Sequence, residues 1–144
     1  MLQGVNLTVE QGETMVILGE SGSGKTVLLK HMNGLMDPDS GEVFVDGLEI
    51  THLGEDELRE VRKKVAMVFQ GSALFDSLTV AENVAYPLNE HTALSPAKVR
   101  DRVREVLSLV DMEGNEELYP AEMSGGMKKR AALARALALN PNCL

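Results

Sequence analysis

The chain has no tryptophan, and only three phenylalanines and two tyrosines among its 144 residues. Its core cannot rest on large aromatic anchors, so Val, Leu, Ile, Ala and the eight methionines must fill it. A single cysteine, Cys143, excludes an internal disulfide and suits a reducing compartment. Positive charge is the scarcer sign: 14 Lys and Arg against 22 Asp and Glu leave a formal net charge of −8. That balance argues against a general nucleic-acid binder, which needs a basic stripe. It does not argue against a phosphate ligand, which backbone amides and one or two local cations can hold. No apolar run approaches the length of a membrane span, and the N-terminus does not read as a signal peptide. Any membrane step therefore falls to other chains. What is present, 44% hydrophobic and 25% charged residues, suits one globular domain of ordinary size.

The order of patterns along the chain is α/β. Residues 5–9 alternate apolar and polar and predict a strand. Residues 14–18, Thr-Met-Val-Ile-Leu, predict a buried parallel strand that runs into a glycine loop. A helix follows over 25–33, with Leu28, Leu29 and Met32 on its inner face and Gly34 as its stop. Residues 41–47 read as a strand entering an Asp46-Gly47 turn of an antiparallel layer. Residues 55–63 read as a charged surface helix and 65–69 as another buried strand, ending at Gln70-Gly71. The middle is helical. Thr79 with Glu82 fits a capping box, and Pro87 limits that helix. Ser95-Pro96 opens the next, with a stripe of Val99, Val103, Val106, Leu107 and Val110 and an end at Gly114. The last helix starts at Ser124-Gly125-Gly126 and runs to about Leu139, before Asn140-Pro141. No internal repeat or low-complexity tract interrupts this order.

The chemistry centres on Gly19-Glu20-Ser21-Gly22-Ser23-Gly24-Lys25-Thr26, a full match to the P-loop pattern G-x-x-x-x-G-K-[ST]. Gly19, Gly22 and Gly24 let main-chain N–H groups approach phosphate oxygens. The following helix turns its positive N-terminal end to the anion. Lys25 supplies a mobile cation for the terminal phosphates, and Thr26 a hydroxyl for Mg²⁺. The bland alternative is a glycine-rich strand-to-helix turn, and the apolar strand before and the helix after weigh against it. The pattern alone does not separate ATPases from GTPases or small-molecule kinases.

Two further features narrow the class. Ser124-Gly125-Gly126 opens a helix headed by Lys128-Lys129-Arg130, which makes a second possible anion site or simply a cap. Gln70, at the end of a predicted strand, could reach a metal or water beside a γ-phosphate, or be a surface glutamine. Together these segments resemble the ATP-binding domain of ABC transporters. The P-loop stands where that family has its Walker A motif, Phe69-Gln70 its Q-loop, and Met123-Ser124-Gly125-Gly126-Met127-Lys128-Lys129-Arg130 its signature. Ser40-Gly41-Glu42, Asp46-Gly47, Leu78-Thr79-Val80 and Glu82-Asn83-Val84 are typical of it as well. Kinases and GTPases account for neither Gln70 nor Ser124-Gly125-Gly126.

The resemblance implies a P-loop NTPase fold with a RecA-like parallel sheet, an antiparallel β part and an α-helical subdomain. It divides residues 1–144 into a core part over 1–72, a mostly helical part over 73–123, and the signature and its helix over 124–144. It implies ATP and Mg²⁺ as ligands, with Thr26 and Gln70 at the metal. It implies a head-to-tail dimer with a second ATP-binding subunit, in which Ser124, Gly125 and Gly126 meet nucleotide on the partner's P-loop. Permease subunits would hold the protein on the cytoplasmic side of the inner membrane. Residues 69–77 and 86–92, with the Gly-Gly-Met-Lys-Lys-Arg variant, are similar to MCE-linked (Mla-type) phospholipid-transport ATPases. That adds a periplasmic MCE protein and a small STAS-domain protein as partners. The alternatives are another importer, for amino acids or ions, and a non-catalytic nucleotide-binding module. Leu74 and Phe75 are either part of a permease-docking surface or simply core.

The family pattern breaks off at Asn140-Pro141, ahead of the Walker B aspartate, its adjacent glutamate and the switch histidine. His31, His52 and His91 lie at the wrong places to replace that histidine and read as solvated surface residues. An adenine-stacking aromatic before Leu2 is also missing. A piece of a longer gene is the simpler expectation. Such a chain is expected to bind nucleotide weakly, to turn it over at background rate, and to be marginally stable with open sheet edges.

Overall fold

The computed structural model describes residues 2–144. They form two compact units, up to Arg62 and from Lys63 onward. The first unit opens with the glycine loop and helix α1 (Lys25–Met32). Gly24 begins that helix at φ 98°. Asn33 closes it, and Gly34 (φ +66°) makes a Schellman stop: Gly34 N–H bonds the His31 carbonyl at 3.2 Å and Leu35 N–H the Lys30 carbonyl at 2.8 Å. A side chain at Gly34 would also collide with Leu58, whose Cδ2 lies 2.6 Å from an added Cβ. The predicted stop at Gly34 therefore has two independent causes.

Strands β1 (Phe44–Val45) and β2 (Leu48–Glu49) pair antiparallel across Asp46-Gly47, with Val45 opposite Leu48. Both turn residues have positive φ, 49° and 77°, as a two-residue I′ hairpin requires. Helix α2 (Glu55–Lys64) follows and packs Leu58 and Val61 with Ile50 into a small core. Arg62 ties it down, donating to the Gly34 carbonyl at 2.6 Å and to Glu55 at 2.9 Å. That partner holds the Glu55 carboxyl below the ordinary glutamate range, chiefly by the hydrogen bond and then by charge.

Four expected features differ. Residues 5–9 and 14–18 are not strands, and Val16 and Leu18 are 69% and 88% exposed rather than buried. Burial of a parallel strand needs ladder partners and covered faces. Among the described residues the only sheet is β1–β2. For the same reason α1 buries no residue, and Leu29 is 44% exposed where an inner face was expected. Residues 65–69 reduce to a parallel bridge between Val65 and Cys143, with Val68 and Phe69 exposed. The direction of that bridge is the expected one, and Ala66 N–H bonds the Cys143 carbonyl at 2.9 Å.

The second unit is built on three helices, α3 (Val80–His91), α4 (Pro96–Leu109) and α5 (Gly125–Leu137), each packed against the other two. Val80, Val84 and Leu88 of α3 meet Val99, Val103, Val106 and Leu107 of α4 and Ala131 and Ala134 of α5. The α4 stripe is the predicted one. Both predicted N-caps form: Thr79 and Glu82 make the reciprocal box at 3.2 and 2.8 Å, and Ser95 accepts from Lys98 N–H at 3.5 Å.

Two helix ends differ from expectation. Pro87 lies inside α3 rather than limiting it. The lost N–H and the clash at Asn83's carbonyl are offset by what lies beyond: Leu88 is 2% exposed, and Thr92 closes the helix on the Leu88 carbonyl through both its N–H and its hydroxyl. Helix α4 stops at Leu109, not Gly114, because Asp111 takes the left-handed position (φ 53°). Met112 N–H then bonds the Leu107 carbonyl at 3.0 Å, and Asp111 N–H the Ser108 carbonyl at 3.3 Å. This is a Schellman motif with aspartate where glycine is usual.

Candidate functional site

The site residues fall in both units: the P-loop in the first, Gln70 and the Ser124–Gly126 turn in the second. In the P-loop, Gly22 (φ 83°) and Gly24 (φ 98°) occupy backbone that L residues rarely adopt. Gly19 has a different reason, since an added Cβ would sit 2.7 Å from Ser23 Oγ. The loop closes around its own lysine: Lys25 Nζ donates to the Gly19 carbonyl at 2.8 Å and the Glu20 carbonyl at 2.7 Å. Ser23 Oγ is 3.5 Å away, and Ser23 N–H bonds the Glu20 carbonyl at 3.2 Å. An anionic ligand has only to draw the ammonium off two exposed carbonyls that water can then solvate. Glu20, Ser21 and Thr26 are exposed, and Thr26 lies in the first turn of α1. The residues present therefore fit a polyphosphate: a loop with glycine at positions 19, 22 and 24, a helix N-terminus and a mobile cation. They fit Mg²⁺ through the Thr26 hydroxyl, and no His, Cys, Asp or Glu cluster among the described residues offers a metal site of another kind.

In the second unit, Ser124 is the N-cap of α5, and its hydroxyl accepts from Met127 N–H at 3.2 Å. The cap reading of Ser124 is thus what its side chain does within the chain. The two glycines are another matter. Neither Gly125 nor Gly126 has positive φ. An added Cβ meets nothing within 4 Å at Gly125 and only Ser124 Oγ at 4.0 Å at Gly126. Glycine inside a helix costs up to about 1 kcal/mol relative to alanine. The fold of this chain does not require either one.

Gln70 is exposed, within a turn that Ser72 N–H closes on the Phe69 carbonyl at 2.9 Å. Two residues on, Ser72 and Ala73 both have positive φ, 66° and 47°. Their carbonyls accept from Arg135 of α5, at 3.1 Å from Nη2 and 2.8 Å from Nη1. The same guanidinium lies 5.9 Å from the centroid of the Phe75 ring, within cation–π range, and that ring packs on Tyr86 at 4.8 Å. Burial pushes the Arg135 pKa below its ordinary value, though a guanidinium remains charged. Asn83 grips the next stretch: its Oδ1 accepts from Phe75 N–H at 2.9 Å and its Nδ2 donates to the Phe75, Leu78 and Thr79 carbonyls at 3.0–3.1 Å. Phe75 is 43% exposed, while Leu74 is half-buried against the helical core.

The sequence pattern points to the P-loop, Gln70 and the Ser124 turn as site candidates, does not single out Arg135 and gives Asn83 no role. A signal for Arg135 was present: a charge within the apolar run Ala131-Ala132-Leu133-Ala134 and Ala136-Leu137 has to find partners. Of the histidines, His52 and His91 are exposed, while His31 is half-buried with Nδ1 2.8 Å from the Met36 carbonyl.

A family model described as "ABC transporter" matches residues 2–144. The "Probable ribonucleotide transport ATP-binding protein mkl" of Mycobacterium tuberculosis is 46% identical over 140 residues, 97% of this chain and 39% of its own length. The "Intermembrane phospholipid transport system ATP-binding protein MlaF" of Haemophilus influenzae is 46% identical over 140 residues, 97% of this chain and 53% of its own length. The chain thus spans about half or less of the length of these relatives. Among solved structures, the ATP-binding cassette MJ0796, described as a dimer in a post-hydrolysis state bound to ADP and Pi, has a TM-score of 0.89 at 40% identity. That match covers 95% of this chain and 61% of the other, and it places the α/β pattern in the P-loop nucleotide-hydrolase fold. Among the described residues no helix is long and apolar enough to cross a membrane.

Proposed function

The chain belongs to the ABC transporter family, and from that premise we propose that it is an ATP-binding, energy-coupling part of such a transporter. The observation that carries this is the pairing of a P-loop closed on Lys25 with two glycines, Gly125 and Gly126, that the chain's own fold does not need. A helix start stripped of Cβ atoms without internal cause suits close approach by a group from outside the chain. In the proposed assembly that group is nucleotide on the P-loop of a second ATP-binding subunit, met by Ser124, Gly125 and Gly126. The Gly19–Lys25 loop holds the phosphates, with Glu20, Ser21 and Ser23 lending backbone N–H groups. Thr26 and Gln70 hold Mg²⁺, which when bound offsets the charge of the phosphate oxygens. The parts are residues 1–72, 73–123 and 124–144, as the family pattern divides them.

The proposed cargo is phospholipid, supported by likeness to MlaF together with the Gly-Gly-Met-Lys-Lys-Arg variant. The second reading is another cargo, favoured by the equal identity to a relative named for ribonucleotide transport. Permease subunits would place the protein on the cytoplasmic face of the membrane, with MCE and STAS-domain proteins as further partners under the first reading alone. These 144 residues by themselves should bind nucleotide without appreciable turnover, since the family's Walker B acids and switch histidine have no counterpart among them.

The test is a titration of the chain with a fluorescent ATP analogue and Mg²⁺. A charge-assisted hydrogen bond contributes about 1.5–3 kcal/mol, so Lys25→Ala should weaken binding about 10- to 100-fold. Equal affinity in the two proteins, or none in the parent chain, would overturn the reading. Co-purification with a permease, followed by lipid analysis of the complex, separates the two cargo readings.

A further inference from the structure

We propose that Arg135 is a positioning residue for the loop after Gln70: it holds Ser72 and Ala73 in left-handed backbone, so that Gln70 and the Ser124–Gly126 turn move together with α5. The inference rests on the reading of Gln70 and Ser124–Gly126 as nucleotide-facing groups.

Two consecutive left-handed residues without glycine, asparagine or aspartate are disfavoured by their Cβ atoms. Ser72 (φ 66°) and Ala73 (φ 47°) are such a pair, and Ser72 is only 6% exposed. The chain does not adopt that backbone by preference, so something outside the loop must hold it. The groups that do are on the page: the two amino nitrogens of one guanidinium, 3.1 and 2.8 Å from the two carbonyls of the strained pair. A planar fork fixes the spacing and direction of two acceptors at once, which a single ammonium cannot do.

The hold does not end there. Phe75 lies under the same guanidinium and against Tyr86 of α3, and Asn83 of α3 takes both its N–H and its carbonyl. The loop thus has fixed points on α5 and on α3, and these two helices pack together. Ser124 caps the same helix that carries Arg135, eleven residues and roughly 16 Å of helix rise away. A continuous helix passes a displacement at its N-terminal turn to its far end with little loss. Motion of the Ser124 turn is therefore delivered to the Ser72 and Ala73 carbonyls, and through them to Gln70.

Hydrogen exchange on the full chain without nucleotide tests the hold. The amides of Ser72, Phe75 and Leu78 bond the Phe69 carbonyl, Asn83 Oδ1 and the Phe75 carbonyl and report the loop directly. In Arg135→Ala their exchange should rise at least tenfold, with core amides of α3, α4 and α5 within twofold of the parent. Arg135→Lys should fall between and carries the test if the alanine variant does not fold. Unchanged loop exchange, or an even rise across all three helices, overturns the proposal in favour of a merely structural arginine. ATP affinity is then compared with Mg²⁺ and with EDTA. Arg135→Lys should cut the Mg²⁺-dependent gain at least threefold and leave the EDTA value unchanged. Local loosening without that cut overturns the link to Gln70. Absence of nucleotide binding in the parent chain instead sinks the ATP-binding reading and the Gln70 link with it, while the exchange data still decide whether Arg135 holds the loop.

Discussion

Asn83 offers the sharpest test of how the helical unit shapes the loop beside Gln70. Its side chain is fully buried, and its carboxamide bonds both the N–H and the carbonyl of Phe75. Truncation in Asn83→Ala leaves Phe75 N–H and Leu78 C=O without their partner, while Phe75 C=O keeps the backbone N–H of Leu78 at 3.2 Å and Thr79 C=O that of residue 83 at 2.9 Å. At about 1 kcal/mol for each of these two groups the loss is about 2 kcal/mol. For a chain of this size that lowers Tm by roughly 4–8 °C.

Asn83→Asp separates hydrogen bonding from packing, because its shape is nearly the same. One carboxylate oxygen can still accept from Phe75 N–H. The other would face the Phe75, Leu78 and Thr79 carbonyls, all within 3.1 Å of the present Nδ2. Burial and these carbonyls both disfavour the charge, so the introduced carboxyl has a raised pKa in the folded state. A raised acid pKa means the folded protein holds the proton longer than the unfolded one. The variant therefore loses stability as pH rises, by about 1.4 kcal/mol for every unit of elevation. Thermal melts followed by circular dichroism at pH 5 and pH 8 measure this. The gap to the parent should be wider at pH 8. An alanine variant within about 1 kcal/mol of the parent, or an aspartate variant with the same deficit at both pH values, would refute the argument.

Three other perturbations follow from single contacts. Gly34→Ala meets both a positive φ of 66° and a Leu58 methyl 2.6 Å from the new Cβ; it should cost about 2–3 kcal/mol in a thermal melt, and Leu58→Ala in the same chain should add less than its separate cost. Arg102 of α4 donates from Nε to the Ala138 carbonyl at 3.0 Å and from Nη2 to the Leu137 carbonyl at 2.8 Å, closing the C-terminus of α5. Arg102→Ala should lower stability by about 1–2 kcal/mol, and lysine should restore less than half, since one ammonium does not span both carbonyls. The Glu55 carboxyl, depressed by Arg62, stabilises the fold above the ordinary glutamate range and ceases to as pH falls through and below it. An NMR titration should find its midpoint below the ordinary glutamate value, and Arg62→Met should raise it.

What was legible in the sequence is what neighbouring residues decide among themselves. The caps at Thr79, Ser95 and Ser124 each close a bond within three residues. The Asp46-Gly47 hairpin and the Gly34 stop are likewise settled by backbone angles that few residue types adopt. The P-loop belongs to the same class, since its lysine bonds carbonyls five and six residues back. The α4 stripe was legible for another reason: its spacing of three and four residues leaves only one face to bury. Gly114 misled because it has the right conformation, φ 78°, at a place where Asp111 had already turned the chain.

The fate of the runs read as strands at 5–9, 14–18 and 65–69, and the loop after Gln70, were not legible, and both failures have one physical source. An apolar run such as residues 14–18 states that burial would be favourable, yet not what would bury it. Without a ladder partner among the described residues, Leu18 stays 88% exposed. Residues 70–75 are the converse case. Nothing local makes Ser72 and Ala73 left-handed, and the cause stands more than sixty residues away at Arg135. The lone charge in the apolar run of α5 was the visible half of that contact. A half-buried cation needs partners, and here they are main-chain carbonyls, which no sequence pattern marks. The same asymmetry bears on Gly125 and Gly126. Ala131, Ala134 and Arg135 of α5 are accounted for by what they touch inside the chain, whereas a Cβ added at Gly125 would meet nothing within 4 Å and one at Gly126 only Ser124 Oγ at 4.0 Å. Residues whose identity the fold does not demand are where an external partner leaves its trace, which is why they carry more of the functional reading than the better-packed residues around them.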